Sequence, residues 1–368
     1  PHNIDKRSQN PIVKPVVEQP SLEITAFEKR CRSEFHRSSK YRASDIAIIG
    51  MSCRVAGASD VDAFWDLLAN EKDMISEIPF ERWDWRDHPD SVKWGSFIEN
   101  VAEFDPLFFG ISPAEAFHMV PEQRLMMESV WDCLENAGCG GEETKGTNTG
   151  IFVASITSGY TTLLNRESLQ AYSSTGMVPS IGPNRISHLM DWSGPSEPVE
   201  TACSSSLVAV HRAVEAIRLG HCKQAIAGGI NLLLTPDPYI SFTKSGMLCA
   251  DGRCKTFSDK ANGYVRGEGL GMLMLKPLGD AMKDGNMIHA VIKGTAVNHG
   301  GHSHSLTAPN PKSQAAVIAN AISDAGINFD GISYIECHGT GTELGDAVEI
   351  DGLKMVALQM GRKEYEKK

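Results

Sequence analysis

A cysteine stands in the run Val199-Glu200-Thr201-Ala202-Cys203-Ser204-Ser205-Ser206-Leu207, at the mouth of a hydroxyl-rich turn. Behind it Leu207, Val210, Val214 and Ile217 recur at helical spacing, and the alanines between them widen the apolar face. Ser204 or Thr201 suits the start of this helix and Gly220 its end. Cys203 therefore falls at the first turn of a mostly buried helix. Unpaired N–H groups and the positive end of the helix dipole favour a thiolate there. The same N–H groups can hold an oxyanion. An acyl-accepting nucleophile is built in this way. The competing reading is a small core residue, because buried free cysteine is common.

A second candidate closes an apolar run. Gly331-Ile332-Ser333-Tyr334-Ile335-Glu336-Cys337 predicts a strand, and His338-Gly339-Thr340-Gly341-Thr342 follows it. A histidine at a strand end between small residues can reach into a shared cavity. Its neutral ring can take a proton or donate a hydrogen bond to a developing oxyanion. A structural histidine is the alternative. Asp346 and Glu349 then read as a capping-box-like helix start.

Two further patterns carry less. His299, His302 and His304 lie close together, but without a neighbouring carboxylate or thiol and beside glycines, which argues against a metal site. Gly267-Glu268-Gly269 fits neither a Walker loop nor a dinucleotide fingerprint, which argues against nucleotide binding.

The elements that must position Cys203 and His338 alternate. Strands are predicted at Asp45–Gly50, Gly150–Ala154, Gln224–Ile230, Leu270–Leu275 and Ile288–Gly294. Helices are predicted after Ser59 or Asp60, with Val61, Phe64, Trp65 and Leu68 on one face, and from Pro121, with Met127, Val130, Trp131 and Leu134. A third runs from Ser313 to Ala325. Strand, turn, helix, strand is a βαβ-type rhythm. Residues 75–120 are irregular and rich in Trp and Phe, which suits a satellite core. Residues 1–43 begin as a proline-containing linker and include a short polar helix over Ser21–Ser39.

Composition excludes several functions. The 368 residues carry a net charge of −11, which argues against binding a phosphate backbone. No apolar run reaches membrane-spanning length and no signal-peptide core opens the chain, so a soluble, cytoplasmic protein is expected. Nine scattered cysteines without a Cys-x-x-Cys pair point to reduced thiols rather than disulfides or zinc.

Thr201-Ala202-Cys203-Ser204-Ser205-Ser206 followed well downstream by His338-Gly339-Thr340-Gly341-Thr342 resembles a β-ketoacyl synthase. Asp45–Ser52, Phe108–Pro113, Glu122–Leu125, Asp251–Phe257 and Gly263–Gly269 are similar to the ketosynthase domain of modular polyketide synthases. Glu197–Thr201 and Asn298–Gly301 resemble the branch whose acyltransferase acts in trans. The resemblance covers about residues 44 to 355. It implies an α/β thiolase fold, two βαβ-type halves in an αβαβα layered arrangement, working as a homodimer. The halves would be residues 44–280, which carry the nucleophile, and residues 281–368, the second being incomplete.

The resemblance also implies roles. Cys203 would accept an acyl chain from the 4′-phosphopantetheine arm of an acyl carrier protein. His338 would assist decarboxylation of a malonyl extender, whose enolate attacks the Cys203 thioester. Thr340 and Thr342 would hydrogen-bond the pantetheine arm. No tightly bound cofactor or metal is required. Partners would be the carrier protein, a second copy, other synthase domains and a trans-acting acyltransferase, with neither nucleic acid nor membrane. Met119-Val120-Pro121-Glu122 lacks the family's usual aspartate before the proline, and a local structural effect is expected. Gly345-Asp346-Ala347 lacks a proline after the aspartate. The family's second catalytic histidine, in an Asn-Ile-Gly-His context, and its glycine-rich loop do not occur up to Lys368. A non-elongating gatekeeper that only transfers acyl chains is the second reading, and the second histidine in the continuation is the feature that discriminates the two. A cysteine hydrolase is the third.

Overall fold

The computed structural model describes residues 41–365 except 157, 165, 166 and 168. The chain divides into two units, Pro1–Arg42 and Ala43–Lys368, and everything below belongs to the second. The expected linker and helix of residues 1–43 fall almost wholly outside the described residues.

Nine strands are present among the described residues: β1 (Ile46–Val55), β2 (Ser76–Glu77), β3 (Trp94–Ser96), β4 (Thr149–Ser155), β5 (Ser196–Val199), β6 (Gln224–Asn231), β7 (Arg266–Gly267), β8 (Gly269–Pro277) and β9 (Ala290–Ile292). Six form one mixed sheet in the order β5-β4-β6-β8-β1-β9. β5, β4 and β6 run parallel, and β8, β1 and β9 join by antiparallel pairings. The helices used below are α1 (Val61–Ala69), α2 (Pro121–Asn136), α3 (Ile181–Leu189), α4 (Ser205–Arg218), α5 (Pro311–Ala325) and α6 (Glu343–Tyr365).

The period-two geometry of the strands explains the core. Ile151 and Val153 of β4, Ile226 of β6 and Met272 and Met274 of β8 face one side. There they pack with Met126, Met127, Val130 and Leu134 of α2 and Ile186 of α3. Phe152, Ala225, Ala227 and Leu275 face the other side and meet Ala209, Ala213, Val214 and Ile217 of α4. With both faces covered, the strands read as continuous apolar runs. Close approach sets Gly50. A Cβ there would lie 2.6 Å from both the Cys133 carbonyl oxygen and Ala137 Cβ, so only glycine lets the end of α2 sit this close to β1.

The aromatic stretch forms the expected satellite core. Ile78, Val92, Phe97, Leu233, Tyr239 and Leu248 are buried together, with Trp83, Trp85 and Trp94 against them. β2, β3 and β7 make a small separate sheet beside it.

Three expectations fail. The run 331–337 is not a strand. After a 3-10 turn at Phe329–Gly331 it continues without a ladder partner, and Tyr334 is 76% exposed. β-propensity alone does not make a strand where no neighbouring strand offers hydrogen bonds. α1 is capped by Asp60, whose side chain accepts from the Ala63 N–H, but its apolar face is not buried: Trp65 is 62% and Leu68 56% exposed. Leu207, expected on the buried stripe of α4, is 75% exposed. The buried stripe is carried by Ala209, Ala213, Val214, Ala216 and Ile217 instead, with Leu207 turned out at the first turn. β9 joins the main sheet beside β1, and α5 packs on α6 through Ala315, Ile322 and Val356.

Candidate functional site

β5 hands the chain to a 3-10 turn, Ala202–Ser204, which runs directly into α4. Ala202 has φ of +57°, a left-handed conformation that costs a non-glycine residue about 1–2 kcal/mol. A compact hydrogen-bond knot holds it. The Thr201 N–H donates to Ser205 Oγ at 2.8 Å, and that hydroxyl donates to the Ala202 carbonyl at 2.6 Å. The Ala202 N–H donates to Glu200 Oε1 at 3.1 Å. The strained turn thus lifts the next residue, Cys203, out of the packed sheet into an exposed position.

Neither Thr201 nor Ser204 caps α4, contrary to expectation. Ser204 lacks a side-chain cap bond and instead donates to the Thr201 carbonyl at 3.0 Å. The hydroxyls are spent on shaping the turn. Gly220 ends the helix with φ of +75°, as expected.

The other thiols set Cys203 apart. Burial pushes Cys222 up to about 11 and Cys133 further still. Such thiols stay protonated and shielded. Cys254 is the other exposed cysteine among the described residues, and its sulfur accepts the Val265 N–H at 3.1 Å.

His338 is placed by different means. Its N–H and that of Gly339 donate to the two carboxylate oxygens of Glu349, at 2.6 and 2.9 Å. Asp346 accepts the Gly341 N–H at 3.0 Å and the Phe257 N–H at 2.6 Å. The pair read as a capping box therefore reaches back from α6 to clamp the histidine loop. Thr342 does the local capping, accepting the Gly345 N–H at 3.2 Å. Thr340 and Thr342 face each other with hydroxyls 2.9 Å apart. His338 is exposed and Thr340 and Thr342 are half-buried.

The segment 254–266 braces the histidine loop: the Gly263 N–H donates to the Gly341 carbonyl at 2.9 Å, and Thr256 Oγ1 donates to the Gly339 carbonyl at 2.6 Å. Tyr264 and Arg266 of the same segment lie within electrostatic range of Cys203, and desolvation, the larger influence on each, pushes Tyr264 up and Arg266 down. Glu349, Asp346 and Thr256 were missed by sequence reasoning. Two acidic residues three apart, just after a glycine-rich loop, were the available signal.

No group of three His, Cys, Asp or Glu residues suited to a metal ion occurs among the described residues. The His299 ring accepts the Gly301 N–H at 2.9 Å. Among the described residues no helix is long and apolar enough to cross a membrane.

A cysteine lifted from a layered α/β sheet by a strained turn, and a histidine loop clamped by carboxylates, are carried on a thiolase-type α/β fold. The chain matches the family model of the β-ketoacyl synthase N-terminal domain over residues 43–281 and that of the C-terminal domain over residues 289–366. It belongs to the β-ketoacyl synthase family. It is 48% identical over 350 residues to the polyketide synthase PksN of Bacillus subtilis strain 168, covering 93% of this chain and 6% of that protein. It is 43% identical over 351 residues to PksR of the same organism, covering 94% of this chain and 13% of that one. Among solved structures, it resembles the ketosynthase from module 6 of the bacillaene synthase of Bacillus subtilis 168. The TM-score is 0.81 at 37% identity, over 86% of this chain and 55% of that chain. The oxazolomycin ketosynthase domain OzmH KS7 of Streptomyces albus JA3453 gives a TM-score of 0.78 at 39% identity, over 85% of this chain and 56% of that one. The chain thus spans a small part of these synthases and about half of the solved ketosynthases.

Proposed function

We propose that this chain is the nucleophile-bearing part of a polyketide synthase ketosynthase, extending acyl chains by two carbons. The observation that carries the reading is Cys203 itself, presented on a left-handed turn between β5 and α4. Family membership and relatives named as polyketide synthases support it.

Cys203 sulfur attacks the acyl thioester of a carrier protein's phosphopantetheine arm. The acyl–sulfur bond to the arm breaks, and the arm leaves as a thiol. A malonyl thioester on a second carrier then loses its carboxylate as CO2. The bonding electrons become an enolate, and a hydrogen bond from His338 to the thioester oxygen stabilises it. The enolate carbon attacks the acyl carbonyl and expels the Cys203 thiolate, leaving a β-ketoacyl chain on the carrier. Thr340 and Thr342 hold the arm through their hydroxyls. The partners are acyl carrier protein, a second copy of the chain, other synthase domains and an acyltransferase supplied in trans, in a cytoplasmic setting.

The test is incubation with acyl-carrier and malonyl-carrier thioesters, read by mass spectrometry. Loading on Cys203 and a product two carbons longer are expected. Cys203→Ala abolishes loading with the fold intact, because the change is small, and Cys254→Ala leaves it. His338→Ala spares loading and suppresses condensation. Loading without any β-keto product from the unsubstituted chain would overturn elongation in favour of acyl transfer alone.

A further inference from the structure

Two buried polar atoms are left unexplained by this chemistry, Oε2 of Glu122 and Oγ of Ser158. Neither has a hydrogen-bond partner among the described residues. Both residues line one small cavity of about 20 Å³, walled also by Met126, Tyr160, Met177 and Pro179. That volume admits one water-sized group. Glu122 sits on the first turn of α2 and is 2% exposed. Its Oε1 accepts the Ser158 N–H at 2.8 Å, and Oε2 is left buried without a partner among the described residues. The Ser158 hydroxyl lies beside the carboxyl without a properly formed hydrogen bond between them. An orphaned pair of this kind is destabilising unless something completes it.

The cavity lies at the end of the sheet that carries the nucleophile. Ser155, the last residue of β4, lines it. β5 runs parallel to β4, with Ala154 opposite Val199, and Cys203 leaves β5 at that same end. A Cβ built on Gly229 of β6 would touch Ala154 Cβ at 2.9 Å and Ser206 Cβ at 3.1 Å, so the end of β4 and a residue just past Cys203 converge on the α4 face of the sheet, while Ser155, the next residue of β4, alternates to the α2 face where the cavity lies.

Burial pushes the Glu122 carboxyl up, and Ser158 and Arg124 oppose this less strongly. Desolvation thus shifts the balance toward the uncharged acid, and a carboxyl group accepts hydrogen bonds in either form and donates one when protonated. Ser158 can donate or accept. An oxygen on a guest would find complementary partners on both sides.

We propose that Glu122 and Ser158 recognise an oxygen substituent, hydroxyl or keto, on the acyl chain carried by Cys203. This rests on the acyl-enzyme reading above. It makes the pair specificity-determining residues: a site built to hydrogen-bond a substrate oxygen discriminates against the chain that lacks it.

The experiment follows the initial rate of Cys203 acylation by intact-protein mass spectrometry. The probes are soluble pantetheine thioesters, one saturated acyl chain and the same chain with a hydroxyl at each successive carbon. In the unsubstituted protein, one hydroxylated isomer loads at least about 10-fold faster than the parent chain. Glu122→Leu brings that ratio to about 1. Glu122→Gln, which keeps a donor and an acceptor, preserves most of it. Ser158→Ala lowers it and keeps the test sound should the leucine variant misfold. Equal loading of all isomers would mean the cavity holds water only and would overturn the proposal, as would an unchanged ratio in Glu122→Leu. Failure of every thioester, parent included, would overturn the acyl-enzyme reading and this one with it.

Discussion

Cys203 and His338 stand in regions held by opposite strategies. The cysteine follows a strand inside a doubly covered sheet and precedes a helix whose alanines lie flat on that sheet. Its turn is strained and locked by short-range bonds. The histidine rides an exposed, unpaired segment and is held by carboxylates projecting from α6. Packing therefore fixes the nucleophile, whereas charge-assisted hydrogen bonds fix its partner. Close packing resists small displacements strongly, and hydrogen bonds to exposed backbone resist them weakly.

The sharpest way to break this contrast is Glu349→Ala. Two N–H groups of the histidine loop lose their acceptors, and condensation is expected to fall about 10- to 100-fold through lost positioning. Acyl loading on Cys203 stays within about twofold, because the loop does not shape the elbow. Glu349→Gln, with one acceptor left, falls between. Equal loss of both steps would show that the two regions are not separately held.

The matching perturbation on the other side is Gly229→Ala. The new methyl would lie 2.9 Å from Ala154 Cβ and 3.1 Å from Ser206 Cβ, wedging α4 off the sheet. A loss of about 1–3 kcal/mol in urea unfolding is expected, with loading slowed about 10-fold.

A pH series sharpens the comparison at the first region's base. Glu122 has its folded pKa raised by burial, and Arg124 on the same helix is the charged group that acts on it. Below the unfolded pKa both states are protonated and stability is complete. As pH rises, the unfolded chain ionises first, so stability falls until the folded value is passed. The urea midpoint is expected to drop as pH rises above the ordinary carboxylate range, and Glu122→Gln to flatten that drop. A Gln variant with the same slope would locate the effect elsewhere.

The smallest effect concerns the elbow. Ala202→Gly removes the left-handed penalty but adds unfolded-state freedom, so stability rises by less than about 1 kcal/mol. Loading stays within about twofold of the parent if the hydrogen-bond knot, rather than the alanine, sets the geometry.

Local order was the legible part of this molecule. The strand–turn–helix around Cys203 is written in adjacent residues, and its apolar period and closing glycine are visible without partners. β4 and β6 were equally plain, because strands buried on both faces are apolar throughout. What failed was whatever depends on a neighbour. The run 331–337 has the composition of a strand, and Leu207 and Trp65 have that of core residues, yet each needs a covering surface that composition does not report. The clamps of Asp346 and Glu349 were hidden for the same reason, since a helix start and a reach back to a preceding loop look alike in sequence. Glu122 was noticed as part of the family-like run Glu122–Leu125 and as a neighbour of the unusual Val120-Pro121 pair, with no role of its own. Its burial and the cavity beside Ser158 arise from packing between α2 and the residues after β4.

The place of β1 in the sheet has a consequence for how the protein is made. Residues 46–55 pair with residues 269–277, and β4, β5 and β6 all emerge in between. The strand synthesised first must therefore wait, with its apolar face open, until β8 leaves the ribosome. Only then can the sheet close and α4 settle. Until that moment the turn at Cys203 sits on an unfinished scaffold, so translation order decides when that elbow can first take its folded geometry.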